Sequence, residues 1–375
     1  MQTFSQLATD GDWEGVSRCI LGGGSLDGSS ALRVLEAPDE QLPALLAAAY
    51  EIRLRYFGRS VQLYYLINAK SGLCPEDCRY CSQSRSSKAP VERYAWLSIE
   101  EILLGAERAA ALNASTYCIV GSGRGPTEHE LDHVILAIRE IKARHTLRIC
   151  ACMGLLKPGQ AQRLMEAGVQ RFNHNLNTSE EFHKEICTTH AFKDRVATIE
   201  EVKKAGISPC CGGIVGMGES RQDVVSMAFS LRDMGVDSIP VNFHIPIPGT
   251  AFEDRGLVNP RYALKVLCMF RMVNPSKELR IAGGRELHLR TLQPLGLYPA
   301  NSIFVSDYLT SKGQSAEDDF RMIADMGFYI VGVDGQPIEL ANAGSLALDG
   351  PGLLGKLDEN NLLIGNQVPA AGERR

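Results

Sequence analysis

The sequence predicts an α/β protein built as a (β/α)8 barrel of the TIM type, with an N-terminal helical extension before it and a loosely ordered C-terminal tail after it. Three observations predict this. From residue 61 onward, β-rich runs alternate with amphipathic helical runs at a spacing of about 25–35 residues, the length of one βα unit. Eight such units suit closure into a barrel. The chain has 375 residues, enough to bury one large core. A doubly wound sheet shares this rhythm, because spacing alone does not set topology.

The elements follow in order. Residues 1–58 read as helical, with an amphipathic stretch at 41–55. Strands are expected over 61–68, 116–120, 147–153, 171–175, 208–215, 238–243, 279–282 and 301–305. Each is a short β-rich run. Between them, apolar residues at helical spacing predict helices over 99–112, 131–143, 158–167, 193–205, 223–234 and 261–273. After 331 the chain carries Gly344, Gly350, Gly352 and Gly355 with no clear period, which predicts a loosely ordered tail. The expected units are therefore 1–58, 59–330 and 331–375.

Bulk properties exclude several classes. A formal charge of −5 offers no basic field for nucleic acid. The opening residues lack the basic start and apolar stretch of a signal peptide. No run approaches the roughly 18 apolar residues of a membrane helix. The expectation is a cytoplasmic protein with neither a nucleic-acid nor a membrane partner. Eleven cysteines without a secretion signal point to metal or sulfur chemistry rather than disulfides.

The densest chemistry lies in Cys74, Cys78 and Cys81. Thiolates are soft ligands that suit iron–sulfur clusters, whereas a structural zinc site takes four ligands. With no fourth Cys or His nearby, three thiolates leave one metal position open. Packed or zinc-bound cysteines are the plainer alternative. The C-x3-C-x2-C spacing resembles the radical S-adenosylmethionine (SAM) superfamily, in which SAM chelates the fourth iron of a [4Fe-4S] cluster.

Other unusual residues fall on the expected strands. Cys118 lies on the second. Cys150 and Cys152 lie on the third, two apart and on one face. Cys210 and Cys211 lie on the fifth, on opposite faces. Asn173 and Asn175 end the fourth, Asn242 ends the sixth, and Arg280 sits on the seventh. Inward strand residues meet in a barrel lumen, and sites form at the C-terminal ends. A lone cysteine is often a small buried hydrophobe, but this joint placement suggests two metal centres in one barrel.

From about residue 36 to 328 the chain resembles the biotin synthase family. The runs that carry this are NAKSGLCPEDCRYCSQS (68–84), YCIVGSGRGP (117–126), ICACMGLLKPGQ (149–160), RFNHNLNTS (171–179), CCGGIVGMGES (210–220), SIPVNFHIPIPGT (238–250), RIAGGRE (280–286) and ANSIFVSDYL (300–309). The resemblance implies a partly open TIM barrel, a homodimer, and a sulfurtransferase that inserts sulfur between two unactivated carbons of dethiobiotin. It implies that Cys74, Cys78 and Cys81 hold a [4Fe-4S] cluster. It assigns Cys118, Cys152, Cys210 and Arg280 to a sacrificial [2Fe-2S] cluster, with Cys150 and Cys211 as neighbours that do not ligate. An arginine ligand is chemically odd, since guanidinium has no free lone pair. The plainer reading of Arg280 is an ion-pair partner, of Glu286 or of a SAM carboxylate.

Further roles follow from the resemblance. Tyr80, Asn177, Arg195, Gly212, Ile214 and Gly216 are the implied SAM contacts, Arg195 through the SAM carboxylate. Asn177 stands where many members carry an aspartate for the ribose. The Gly212-x-Ile214-x-Gly216-x-x-Glu219 run is also explained by a tight strand-to-helix turn, and Arg195 by a solvated helix face. Asn173, Asn175 and Asn242 match the amides that hold dethiobiotin, a urea that needs both donors and acceptors. His174 is expected to pack or support rather than catalyse. Because the reacting C–H bonds are unactivated, the cofactors supply the chemistry, with electrons from flavodoxin or ferredoxin. Alternatives are another radical SAM barrel, of the hydrogenase-maturation or pyrrolysine-pathway type, or a non-catalytic iron–sulfur carrier; the asparagines argue against the carrier.

Overall fold

Four helices come first: α1 (Phe4–Asp10), α2 (Trp13–Leu21), α3 (Gly28–Glu36) and α4 (Leu42–Phe57). The computed structural model describes residues 3–338 and, beyond them, the antiparallel dipeptides Lys356–Leu357 and Leu363–Ile364. The rest of the expected tail lies outside the described residues. Among the described residues no helix is long and apolar enough to cross a membrane.

Strands and helices then alternate. The order is β1 (Ser60–Lys70), α5 (Ile99–Ala111), β2 (Thr116–Gly121), α6 (Glu128–Arg144), β3 (Arg148–Cys152), α7 (Gln160–Glu166) and β4 (Arg171–Asn173). Next come α8 (Glu180–Ile186), α9 (Phe192–Lys204), β5 (Ser208–Cys210), β6 (Gly213–Val215), α10 (Arg221–Asp233), β7 (Ser238–Phe243) and α11 (Pro260–Val273). The last are β8 (Glu278–Ile281), α12 (Arg285–Leu289), β9 (Ser302–Phe304), α13 (Ala316–Asp325) and β10 (Tyr329–Val331). Helix starts are written locally. Ser98 with Glu101 and Thr127 with Glu130 form capping boxes at α5 and α6, satisfying N–H groups the first turn leaves free.

All barrel strands are parallel, and β1 pairs with both β2 and β9. The barrel is therefore closed. This excludes the doubly wound sheet and corrects the expectation of a partly open barrel: Gln62, Leu63 and Tyr64 align with Ser302, Ile303 and Phe304. β10 adds a short pairing to the start of β1. The eight strand positions match the expected ones, except that the fifth is broken. β5 and β6 are separated at Cys211–Gly212, and both pair with β7. The apolar core lies between the barrel and its helices. There Cys211 packs, fully buried, on the opposite side of the sheet from Cys210. α3 and α4 lie over α11, whose residues from Ala263 to Val273 are all buried.

Candidate active site

The C-terminal end of β1 runs into the cysteine loop, which is tied down on both sides. Gly72 turns with φ +69°, a conformation open to glycine, and its N–H donates to Gln83 Oε1 at 3.0 Å. The Arg79 N–H donates to the Ile186 carbonyl at 2.9 Å. Asp77 accepts from the Thr188 and Thr189 N–H groups at 2.9 and 3.2 Å. Glu76 accepts from Arg124 Nη1 at 3.0 Å and from Thr189 Oγ1 at 2.5 Å, and also pairs with His190 Nδ1. The loop is thus clamped onto the turn after α8.

Cys78 is buried, and Cys74 and Cys81 are partly exposed. Burial, and then the neighbouring Cys74 thiol, push Cys81 up to about 11. Cys78 stands well above the ordinary thiol range, first because it donates to Cys187, 3.7 Å away, and then because it is buried. The expectation that no fourth Cys or His lies nearby is therefore wrong. Cys187 and His190 reach Cys78 from a distant part of the chain.

The lumen holds the second group. Cys118 and Cys150 face each other in register, and Cys150 is within hydrogen-bonding reach of both Cys118 and Cys210. All three are buried. Cys152 stands two residues on, level with Val120, nearer the strand ends. Burial pushes its thiol up to about 12. Arg280 is 1% exposed. Its Nη2 donates to Glu278 Oε1 at 2.7 Å and Ser238 Oγ at 2.8 Å, while Nη1 lies 3.7 Å from Cys210 Sγ. Its guanidinium carbon sits 3.3 Å from the Tyr64 ring centroid. Burial opposes its charge, but Tyr64, Cys210 and Glu278 outweigh burial and hold it protonated. The ion-pair partner is Glu278, two residues away on β8. Glu286 instead meets Tyr308 and Arg285.

Glu278 anchors this floor. It accepts from Arg171 Nη1 at 2.5 Å, Tyr64 Oη at 3.0 Å and Ser302 Oγ at 3.0 Å. Burial would raise its pKa, but Arg171 and Arg280 hold the carboxyl well below the usual range. Two guanidiniums against one carboxylate leave a buried positive charge beneath the thiols.

Between the two groups lie the remaining residues. Arg195 on α9 is 7% exposed, so the solvated helix face does not describe it. Its Nη1 donates to the Asn175 carbonyl at 2.8 Å, and its Nε has no partner. Asn177 has φ +72°, which asparagine tolerates. With its amide oxygen turned toward the donors around it, Asn177 accepts from Tyr80 Oη at 2.6 Å and from the Arg195 Nη atoms at 3.1 and 3.2 Å. Asn173 Nδ2 donates to Asn175 Oδ1 at 3.1 Å and Cys210 Sγ at 3.3 Å. Asn242 bridges backbone, donating to the Gly213 carbonyl at 3.1 Å and accepting from the Gly283 N–H at 3.0 Å. His174 is buried, and burial depresses its pKa strongly, so it is neutral.

The glycines at the strand break have a packing cause. A Cβ on Gly212 would lie 1.9 Å from the Pro240 carbonyl oxygen, and one on Gly216 would lie 2.6 Å from Val258. Glu219 accepts from the Gly216 and Met217 N–H groups at 2.7 and 2.8 Å. The tight-turn explanation accounts for the glycines and the glutamate.

Residues 70–231 match the Radical SAM superfamily, and 240–329 the Biotin and Thiamin Synthesis associated domain. The chain is 55% identical to a biotin synthase of Bacillus licheniformis over 322 residues, 86% of this chain and 97% of that one. It is 56% identical to a biotin synthase of Geobacillus kaustophilus over 319 residues, 85% and 96% of the two chains. The chain belongs to the biotin synthase family. Solved structures share the fold at low identity. A methylornithine synthase aligns with a TM-score of 0.72 at 18% identity, over 84% of this chain and 96% of that one. The hydrogenase maturase HydG of Carboxydothermus hydrogenoformans gives 0.73 at 16%, over 88% and 85%.

Membership in the biotin synthase family brings SAM, a [4Fe-4S] cluster and a [2Fe-2S] cluster. The residues present fit them. Three thiols share one clamped loop. Arg195 and Arg280 each carry a buried Nε without a partner among the described residues. The floor's excess positive charge complements thiolate and sulfide. Sequence reasoning missed Glu278, Tyr64, Cys187 and His190. The C-x2-H spacing of Cys187 and His190 was a usable metal-ligand signal, and Glu278 shares a strand face with Arg280.

Proposed function

We propose that Cys74, Cys78 and Cys81 hold the [4Fe-4S] cluster, that Cys118, Cys152, Cys210 and Arg280 hold the [2Fe-2S] cluster, and that the reaction is conversion of dethiobiotin to biotin, the last step of its biosynthesis. The observation that carries this is Arg280: a buried guanidinium beside Cys210, with Nε unpartnered, over a floor of net positive charge. When bound, SAM and the reduced [4Fe-4S] cluster supply hydrogen-atom abstraction, and the [2Fe-2S] cluster supplies sulfur.

The chain's own residues position and shield. The buried thiols would hold a bound cluster as thiolates, their protons released to solvent, because the metal charge offsets the effect of burial. Arg195 offers Nε to a carboxylate, a charge-assisted contact, and Tyr80 and Asn177 fix the guanidinium beside it. Ile214, Met217 and Phe252 pack around Cys78 and keep water from it. Asn173 and Asn175 present amides above Cys210. Asn242 has one donor and one acceptor left after its backbone bonds, enough for part of a urea. Burial holds the His174 pKa well below the usual imidazole range, which disfavours a role as proton acceptor near neutral pH.

By family resemblance the protein acts in the cytoplasm as a homodimer reduced by flavodoxin or ferredoxin. The test of function is growth of a biotin auxotroph on dethiobiotin, alongside anaerobic turnover with dithionite, SAM and dethiobiotin. Biotin and 5′-deoxyadenosine are the expected products. A protein carrying both clusters that makes neither refutes the reading.

A further inference from the structure

Cys78, Cys187 and His190 come together beside the cysteine loop, on the turn after α8. Their ligand atoms lie within 4.8 Å of one another, and all three residues are buried. The Cys78 and Cys187 sulfurs are 3.7 Å apart. Two thiolates about 2.3 Å from one tetrahedral ion lie about 3.8 Å apart. His190 Nδ1 is 3.3 Å from Cys187 Sγ; a nitrogen on the same ion would lie about 3.6 Å from each sulfur. Ligands on different irons of a cubane point away from its separate corners, so their sulfurs stand farther apart than this. The spacing therefore matches one ion, not two corners of a cluster. His190 also has a buried Nε2 without a partner.

We propose that, before the [4Fe-4S] cluster is in place, Cys78, Cys187 and His190 bind a single borderline-soft divalent cation, Zn2+ or Fe2+. Two thiolates and an imidazole select such ions over Mg2+ or Ca2+. Two thiolates neutralise the ion's charge, and a water completes four-coordination. Binding the ion would replace two contacts made by the ligand atoms themselves, His190 Nδ1 with Glu76 and the Cys187 thiol with Asp77. Because Cys78 serves both centres, the single ion and the cluster exclude each other. That exclusion rests on the assignment of Cys78 to the cluster; the ion site does not. Zinc would hold the loop ready yet block cluster assembly, whereas ferrous iron would be a first iron already in place.

The test uses full-length protein freed of cluster under reducing, anaerobic conditions and titrated with Co2+. Thiolate-to-cobalt charge-transfer absorption is expected. Bound cobalt should fall by one ion per chain in Cys187→Ser, and affinity should drop at least tenfold in His190→Ala. Circular dichroism checks that both variants are folded. Unchanged stoichiometry in Cys187→Ser overturns the site. Separately, one equivalent of Zn2+ added before iron and sulfide should retard [4Fe-4S] formation in wild type, followed by absorbance and electron paramagnetic resonance, and not in Cys187→Ser. Equal retardation in both overturns the exclusion. Cobalt binding through Cys187 with no zinc retardation in wild type also overturns the exclusion, and places the fault in the assignment of Cys78 to the cluster.

Discussion

Arg280 concentrates the balance of forces in this lumen. It shares Glu278 with Arg171, so losing Arg280 leaves one balanced ion pair, whereas losing Glu278 leaves two buried cations facing each other. Arg280→Met should therefore fold and retain measurable biotin formation, with altered spectra of the second cluster. Cys152→Ala under the same reconstitution should lose biotin formation yet keep part of its SAM cleavage. If the cluster spectra of Arg280→Met match wild type, Arg280 is no ligand and serves only its ion pair. Glu278→Gln should lower unfolding free energy by about 3–5 kcal/mol, the usual cost of breaking a buried pair, read by urea denaturation. Replacing Cys74, Cys78 or Cys81 with Ala should abolish 5′-deoxyadenosine formation with the fold intact; near-normal formation by any one of the three would sink the cluster assignment. Arg280 was conspicuous in the sequence as a cation on a strand. Its partner was not, although Glu278 is only two residues away: that spacing puts both side chains on one face of β8, whereas Glu286 lies six residues on, in α12.

The broken fifth strand sets the geometry between the two cofactor regions. Cys210 ends β5 facing the lumen, Cys211 turns into the outer core, and Gly212 passes against the Pro240 carbonyl. That contact leaves no room for a side chain. Gly212→Ala should cost about 1–3 kcal/mol through overpacking and weaken SAM binding, read by thermal melting and equilibrium dialysis. Gly256→Ala, where a Cβ would meet nothing within 4 Å, should change neither. The continuous strand expected over 208–215 matched composition and period. The break came from crowding by β7, a neighbour that periodicity does not see. Cys210 and Cys211, which the sequence alone did not separate, face opposite sides of the sheet, Cys210 toward Arg280 and Cys211 into the outer core.

The N-terminal helices close the outer face of the molecule over α11. Lys265, buried in the middle of α11, donates to Asp39 Oδ1 at 2.7 Å and the Ala37 carbonyl, and Arg53 of α4 donates to the Ala300 carbonyl at 2.9 Å. Removing residues 1–36 would strip α3 from α11 and expose apolar surface of a helix whose residues from Ala263 to Val273 are all buried. The truncated chain should melt at lower temperature and associate on sizing columns, whereas full-length protein should not; an unchanged melting temperature would show that the barrel does not depend on this cover. Fully reconstituted wild type should give two iron environments by Mössbauer spectroscopy, and a protein with only a [4Fe-4S] cluster contradicts the two-centre reading.

Short-range pattern carried much of this protein. The βα rhythm, the helix caps and the C-x3-C-x2-C loop are all set by residues within one or two turns of each other, where backbone sterics and side-chain period act directly. Barrel closure decided the rest. It brought Arg171 to Glu278 across 107 positions and Cys187 to Cys78 across 109. Such pairs are chosen by which strands and loops become neighbours when the sheet closes, and no local period records that choice.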